Sequence, residues 1–188
     1  MIFFFHVIPH LKQVSNNAIS GSSVLEIIVV WVSDSSEGII TVISIGLLKL
    51  VLYCLVDLAM GKAEVFQEQL NTVIKTLSNR DHYGFNEKHF HVITLSLLSF
   101  AEFYFIDSQP ELDNKYPDIL LIGRDEKVPN NYLFELKWLK QKDDYEKVKK
   151  EGLEQIEGYQ KLDKVNTIPK LRSFLLIGSK DGVEFLEV

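Results

Sequence analysis

The sequence has 188 residues, 46% of them hydrophobic, and a formal net charge of −6 at neutral pH. These values are ordinary for a soluble globular protein with a sizeable core. The acidic balance excludes attraction of nucleic acid by overall charge, so any such site must be a local basic patch or use metal ions. The only cysteine, Cys54, excludes an internal disulfide. Its apolar neighbours predict a reduced, buried thiol in a cytoplasmic protein.

The first 61 residues differ in character from the remainder. Residues 1–12 are apolar, but no basic stretch precedes them, so a signal peptide fits poorly. Residues 39–60 form an apolar run long enough to cross a bilayer. Lys49 and Asp57 argue against a span, because each would cost about 2.5–3.5 kcal/mol at a membrane centre. We predict a buried helix here, with a membrane anchor as the alternative that fractionation would expose.

From residue 62 onward, the spacing of apolar residues predicts alternating helices and strands. In chain order, these are helices at 63–78 and 87–100, strands at 102–109, 117–123 and 131–138, a helix at 143–162, and strands at 173–178 and 183–188. Asn86 is a suitable N-cap for the second helix. The turn between the second and third strands is polar and contains Pro129, as in an antiparallel hairpin.

The sequence predicts roles or orientations for three sets of side chains in these elements. His89 and His91 are two residues apart on a helix, so they point in different directions, and we expect ordinary polar roles for both. Several lysines around the start of the third helix could contact phosphates, namely Lys137, Lys140, Lys142, Lys147, Lys149 and Lys150. The third helix directs one stripe inward, which consists of Val148, Gly152, Gln155, Ile156 and Tyr159.

The hairpin brings three distant charged residues together. When its strands pair antiparallel, the start of the first lies beside the end of the second. Asp118 therefore comes close to Glu135 and Lys137, although sixteen residues separate Asp118 from Glu135. Residues two apart in a strand share a face, so Glu135 and Lys137 point the same way. The pattern predicts three converging charges at one end of the sheet.

Two carboxylates beside an ammonium group suit a magnesium site. Mg²⁺ takes oxygen ligands and retains several waters, so it needs few protein groups. It would activate a bound water and polarise a phosphodiester, while Lys137 positions or deprotonates that water. The alternative is a plain salt bridge of Lys137 with one carboxylate. That alternative does not explain why two otherwise apolar strands place their charges at the same end.

The spacing of "PD", sixteen residues and "ELK" resembles the signature of the PD-(D/E)XK phosphodiesterase superfamily. The order of elements is similar to its αβββαβ core, so the resemblance implies an α/β (α+β) fold with a mixed central sheet flanked by helices. Gln155 and Tyr159 in "QIEGY" also match the Q-x-x-x-Y motif of the RecB-like exonuclease branch. On this resemblance, both residues reach the metal site or a phosphate.

The resemblance covers residues 62–188 and is similar to nuclease-like domains that follow an AAA-ATPase-like module in bacterial proteins. It implies a nuclease-like domain at 62–188, while residues 1–61 are an apolar segment that would fit a remnant of the ATPase-like module. The family often has Ser-Glu where this chain has Ser108-Gln109. Glu111, two residues further on, is a candidate for the missing metal-facing carboxylate.

These observations predict a nuclease that uses Mg²⁺ or Mn²⁺ to hydrolyse phosphodiester bonds, with DNA favoured as substrate by resemblance only. Asp118, Glu135 and Lys137 are its predicted catalytic residues, and Asp118 and Glu135 its metal ligands. Gln155 and Tyr159 would shape the site. The expected partners are nucleic acid and an ATPase module, without a membrane. The alternative function is a catalytically inactive nuclease fold that serves as a binding or regulatory module.

Overall fold

The computed structural model describes residues 51–140 and 145–188. A helix, α1, covers residues 51–59. The elements that follow are α2 (Ala63–Thr76), α3 (Glu87–Leu98), β1 (Tyr104–Ser108), β2 (Ile119–Gly123), β3 (Asn131–Trp138), α4 (Tyr145–Gln160), α5 (Asp163–Asn166), β4 (Leu171–Ser179) and β5 (Gly182–Glu187).

The five strands form one mixed sheet in the order β1-β2-β3-β4-β5. The pairs β1–β2, β2–β3 and β4–β5 are antiparallel, whereas β3 and β4 are parallel. Parallel neighbours need a crossover connection, which α4 and α5 supply. The predicted α/β (α+β) class, with its αβββαβ order and a mixed sheet flanked by helices, is therefore confirmed.

Most predicted elements lie within a few residues of their expected bounds. The third strand occupies residues 131–138 as predicted, and the hairpin that it forms with β2 is antiparallel. Asn86 caps α3, because its side chain accepts a hydrogen bond from the backbone N–H of Lys88 at 3.0 Å. The short helix α5 was not predicted, since four residues are too few to show helical periodicity.

The alternation of side chains along β3 divides the core into two parts. Tyr132, Phe134 and Leu136 lie on one side with buried residues of α1, α2 and α3, and we call this side the apolar face. Leu133 lies on the opposite side with residues of α4 and α5, which we call the α4 face. On that face α4 packs closely against β4, because a Cβ atom at Gly152 would collide with the Leu175 side chain.

The described part of the N-terminal segment packs into the apolar face. Leu58 of α1 is fully buried, and its carbonyl accepts a hydrogen bond from the Tyr132 hydroxyl. Cys54 is buried as predicted, and burial raises the pKa of its thiol to about 11. Residues 1–50 lie outside the described residues, so the boundary placed after residue 61 and most of the apolar run at 39–60 stay predictions. Within residues 51–140 and 145–188, no helix has the length and apolar character of a membrane span.

Candidate functional site

The end of the β2–β3 ladder positions Asp118. The last paired residues of these strands are Ile119 and Phe134. One residue beyond, the Asp118 Oδ2 atom accepts a hydrogen bond from the backbone N–H of Leu136 at 2.8 Å. This bond satisfies a strand N–H that the ladder leaves free, and it fixes a buried carboxylate at the sheet end.

Glu135 and Lys137 form a close ion pair beside it. The Lys137 Nζ atom lies 2.7 Å from Glu135 Oε1. The other oxygen of the carboxylate, Oε2, accepts a hydrogen bond from the Tyr159 hydroxyl at 3.0 Å. Glu135 is only 2% exposed, so both bonds act on a carboxylate that is almost fully withdrawn from water.

The net effect of burial and neighbouring charges is to raise the pKa values of Glu135, Lys137 and Tyr159. Burial raises the pKa of Glu135, and the negative charge of Asp118 raises it further. Burial alone would lower the pKa of Lys137, but the Glu135 carboxylate and the more distant acids outweigh it and raise the value. The pKa of Tyr159 is raised by burial and by Glu135. Lys137 is therefore cationic and Tyr159 neutral near pH 7, and both are donors to Glu135.

The predicted trio thus converges, and the structure adds a carboxylate that the sequence did not reveal. Glu87 is the first residue of α3, and its Oε2 atom lies 3.9 Å from Lys137 Nζ. Burial raises its pKa, and Asp118 contributes to the rise against the opposing effect of Lys137. Its position directly after the N-cap Asn86 was visible in the sequence, but its approach to β3 depends on how α3 packs.

His91 is a second residue that sequence reasoning missed. It is buried, with Nδ1 3.4 Å from Asp118 Oδ1 and Nε2 2.9 Å from the Ser108 hydroxyl. The expectation of an ordinary polar role for His91 stays a prediction, although its contacts link it to Asp118. His89 does point elsewhere, as predicted, and its Nδ1 lies 3.0 Å from Asn86 Oδ1. His91 faces inward because it lies on one stripe of α3 with the buried Thr94 and Leu98.

Gln155 and Glu111 lie further from the buried charges. Gln155 was predicted on the inward stripe with Tyr159, but it is exposed, because it lies at the edge of that stripe where the surface opens. It lines the same groove as Lys137 and a smaller groove that Tyr159 also lines. Glu111 is exposed in the connection between β1 and β2, and within the described residues no hydrogen bond or ion pair joins it to the trio.

The groove beside the trio has a volume of about 590 Å³ and is acidic. Lys137 is accompanied in its lining by Glu87, Glu151 and Glu154. Two lysines of α4 lie beside these acids, with Lys147 3.9 Å from Glu151 and Lys150 3.8 Å from Glu154. A phosphate that enters this groove meets more negative than positive charge, so it needs an additional cation.

The donor set at the sheet end fits a magnesium or manganese ion. Asp118, just before β2, and Glu135 of β3 supply carboxylate oxygens, and the charge of Asp118 raises the pKa of Glu135. Such mutual repulsion favours a cation between them. Within the described part of the chain, no three His, Cys, Asp or Glu side chains are arranged to enclose a metal ion. Mg²⁺ does not require such a cage, since one or two carboxylates with waters are sufficient.

Comparison with known families agrees with this geometry. No curated protein and no solved structure matches the chain. The family model described as the PD-(D/E)XK nuclease superfamily matches residues 85–180, about half of the chain. The matched range begins just before α3 and contains the whole Asp118, Glu135 and Lys137 constellation. On the strength of this match, the chain belongs to the PD-(D/E)XK nuclease superfamily.

Proposed function

We propose that this protein is a metal-dependent nuclease that hydrolyses phosphodiester bonds, with DNA as its substrate. The observation that carries the proposal is the convergence of Asp118, Glu135 and Lys137 at the end of the β2–β3 hairpin, with the ammonium group 2.7 Å from the Glu135 carboxylate. A structural salt bridge needs only two of these groups. The third buried charge, Asp118, is the one that this simpler role leaves unexplained.

Asp118 and Glu135 would hold the ion in this proposal. A bound Mg²⁺ or Mn²⁺ ion supplies a Lewis acid that lowers the pKa of water and polarises a phosphodiester oxygen. The hydrogen bond from the Leu136 N–H fixes the Asp118 carboxylate, and the Tyr159 hydroxyl fixes that of Glu135. These bonds hold both carboxylates in defined orientations before substrate arrives.

Lys137 acts as a cation in this site. Because its pKa is raised, it carries its proton near neutral pH and is a poor general base. Its ammonium group instead orients the attacking water and offsets the negative charge that develops on the phosphate. Gln155, which lines the groove, would donate its amide protons to a phosphate oxygen of the nucleic acid.

The second candidate function is an inactive nuclease fold that binds a partner. The acidic groove favours this alternative, because two of the α4 lysines that were expected to contact phosphates, Lys147 and Lys150, lie beside the carboxylates of Glu151 and Glu154. An ATPase-like module as the partner rests on the sequence resemblance alone. Binding of a divalent metal separates the two functions, because an inactive module has no need of it.

The proposal is tested by cleavage of single- and double-stranded DNA in Mg²⁺ or Mn²⁺. The wild type is compared with Asp118→Ala and Lys137→Ala, and we expect both variants to lose cleavage. Asp125→Ala and Lys127→Ala are matched controls, because they remove the same residue types from the exposed turn of the same hairpin. Cleavage that survives both site substitutions would show that the hydrolysis arises elsewhere. A folded wild type that neither cuts nor binds metal would favour the inactive module.

A further inference from the structure

A second depression, of about 550 Å³, lies at the same end of β3 as the acidic groove, and we call it the aromatic pocket. The two have no lining residue in common, but their linings include residues that are consecutive in the chain. Asn86 lines the aromatic pocket and Glu87 the acidic groove, while Trp138 lines the pocket and Lys137 the groove. The pocket therefore lies against the same strand end and the same helix start as the proposed catalytic residues.

Flat aromatic surfaces form much of this pocket. Trp138 packs against Phe85 with ring centroids 4.3 Å apart and is stacked with His82 at 6.2 Å and 15°. Tyr83 is 91% exposed at the rim, where the following Gly84 has a φ of +77°. That backbone conformation favours glycine and forms the turn that holds Tyr83 out in solvent. An aromatic ring so fully exposed contributes little to folding and is available for stacking.

The charge of the aromatic pocket is opposite to that of the groove. Lys140 and Lys180 line it, and the other described residues that line it carry no carboxylate. A nucleic-acid strand that crossed from the pocket to the groove would pass from a cationic to an anionic surface. The pocket is thus the place in this region where the negative backbone of a nucleic acid is attracted without a metal ion.

Among the described residues, one buried polar atom of the pocket lining has no hydrogen-bond partner. His82 Nδ1 is buried and, within the described residues, lacks a hydrogen bond. A buried nitrogen without a partner is unfavourable, because it has lost its hydrogen bonds to water. The ring is held by stacking on Trp138 rather than by a hydrogen bond at this atom. The unused hydrogen-bonding capacity of this nitrogen can be met by a ligand whose edge carries both donors and acceptors, as that of a nucleobase does.

We propose that the aromatic pocket binds an unpaired base next to the bond that is cut, so that the enzyme prefers single-stranded nucleic acid. The proposal rests on the proposed function and extends it to substrate class. Every base has a flat face that stacks on an aromatic ring, and lysines beside it hold the phosphate. In a duplex these faces are covered by neighbouring bases, so duplex DNA gains nothing from Tyr83 and Trp138 unless a base leaves the stack.

The experiment measures binding by fluorescence anisotropy of a labelled single-stranded DNA oligonucleotide and of the matching duplex. Ca²⁺ replaces Mg²⁺, and gel electrophoresis checks that the strands stay intact. The Tyr83→Ala variant should bind the single strand between about fivefold and about a hundredfold more weakly than wild type. Tyr83→Phe retains the ring and should restore binding. Phe100→Ala is the matched control, since it removes another exposed ring beyond the opposite end of α3.

Lysine substitution tests the electrostatic part of the same pocket. Lys180→Ala should weaken binding of the single strand and reduce its dependence on salt, because one phosphate contact is lost. Lys161→Ala is the control, since this exposed lysine follows α4 outside the pocket. A change in salt dependence identifies a phosphate contact, which a merely structural lysine would not make.

The outcomes separate this inference from the proposed function. Equal binding of the single strand by Tyr83→Ala and wild type would overturn the base pocket, even if wild type cuts DNA in Mg²⁺. An equal loss of duplex binding in that variant, or a wild type that binds no single strand, would also overturn it. Ring-dependent binding by a protein that does not cut would support the pocket while the proposed hydrolysis fails.

Discussion

The two faces of the sheet are built from the same strands but differ in the groups that they bury. On the apolar face, β3 contributes Tyr132, Phe134 and Leu136, all fully buried. The ring of Phe134 has four aromatic neighbours, which are Tyr132, Phe66, Phe174 and Phe185. On the α4 face the same strand contributes Leu133 and then the charged residues Glu135 and Lys137. One strand therefore supplies hydrophobic stabilisation on one side and buried charge on the other.

This difference separates the side of the sheet that stabilises the fold from the side that carries the proposed site. A buried carboxylate whose pKa is raised by burial and by a neighbouring carboxylate, as in Glu135, weakens the fold, and hydrophobic residues of similar size would often stabilise it more. The aromatic packing of the apolar face offsets that loss. The placement of all three charges where the β2–β3 ladder ends agrees with a site that acts on a ligand, and four predictions test the contrast.

The largest expected effect is on the apolar face. Phe134→Ala should lower the free energy of unfolding by about 3–5 kcal/mol, because it leaves a cavity among several rings. Urea denaturation followed by circular dichroism measures this. The neighbouring Glu135→Gln on the α4 face is the comparison, since it removes a buried charge and keeps a hydrogen-bond acceptor. A greater loss in Glu135→Gln than in Phe134→Ala would reverse the roles assigned to the two faces.

The next effect concerns His91, which contacts Asp118 from α3. His91→Gln should weaken Mn²⁺ binding by about 10- to 100-fold, because groups that orient a metal-binding carboxylate affect affinity to this extent. Isothermal titration calorimetry measures the affinity. His89→Gln on the same helix is the control, as His89 contacts Asn86 instead. Unchanged affinity in His91→Gln would mean that His91 only fills space between α3 and β1.

A smaller effect tests how closely α4 covers its face. Gly152→Ala places a methyl group against Leu175, and the strain should exceed the gain in helix propensity. We expect a net loss of about 1–2 kcal/mol in thermal or urea unfolding. Gly158→Ala on the same helix meets only the flexible end of Lys115 and should be neutral or stabilising. Equal stability of the two variants would show that α4 does not pack tightly on β4.

The smallest effect is a pH dependence without metal. The folded-state pKa of Glu135 is raised, so the folded chain holds this proton more tightly than the unfolded chain. The contribution of Glu135 to stability is thus complete below its pKa in the unfolded chain. It is lost as pH rises through its pKa in the folded chain. Burial causes most of the rise, Asp118 adds to it, and Lys137 and Tyr159 oppose it.

Comparison of wild type and Glu135→Gln over this pH range isolates the contribution. The free energy of unfolding of wild type should fall relative to the variant as pH increases from about 4 toward neutral. Parallel pH profiles would show that Glu135 titrates as it does in the unfolded chain.

The sequence predicted the parts of the site that depend on local pattern. Alternation of apolar residues located β3, and the polar turn with Pro129 identified the antiparallel hairpin that brings Asp118 to Glu135. Helical spacing placed Tyr159 toward the sheet, where its hydroxyl donates a hydrogen bond to Glu135. These features need only the chain's own periodicity and the geometry of one turn.

The remainder depends on how separate elements pack. Glu87 and His91 reach the site because α3 crosses the end of β3, and no local pattern encodes that crossing. Gln155 lies at the border of the inward stripe of α4. Its exposure depends on the opening of the groove there, which helical periodicity does not predict. The aromatic pocket brings together Tyr83 and Trp138, which have 54 residues between them in the chain.

The central claim is that Asp118 and Glu135 bind a divalent cation, and metal-linked stability tests it most directly. Wild type and Asp118→Asn are unfolded with increasing Mn²⁺. Asparagine can still accept the Leu136 hydrogen bond, so the fold should persist. At a free Mn²⁺ concentration about a hundred times the Kd, wild type should gain about 2.7 kcal/mol, and the variant should gain none. No stabilisation of wild type, or equal stabilisation of both proteins, would contradict the claim.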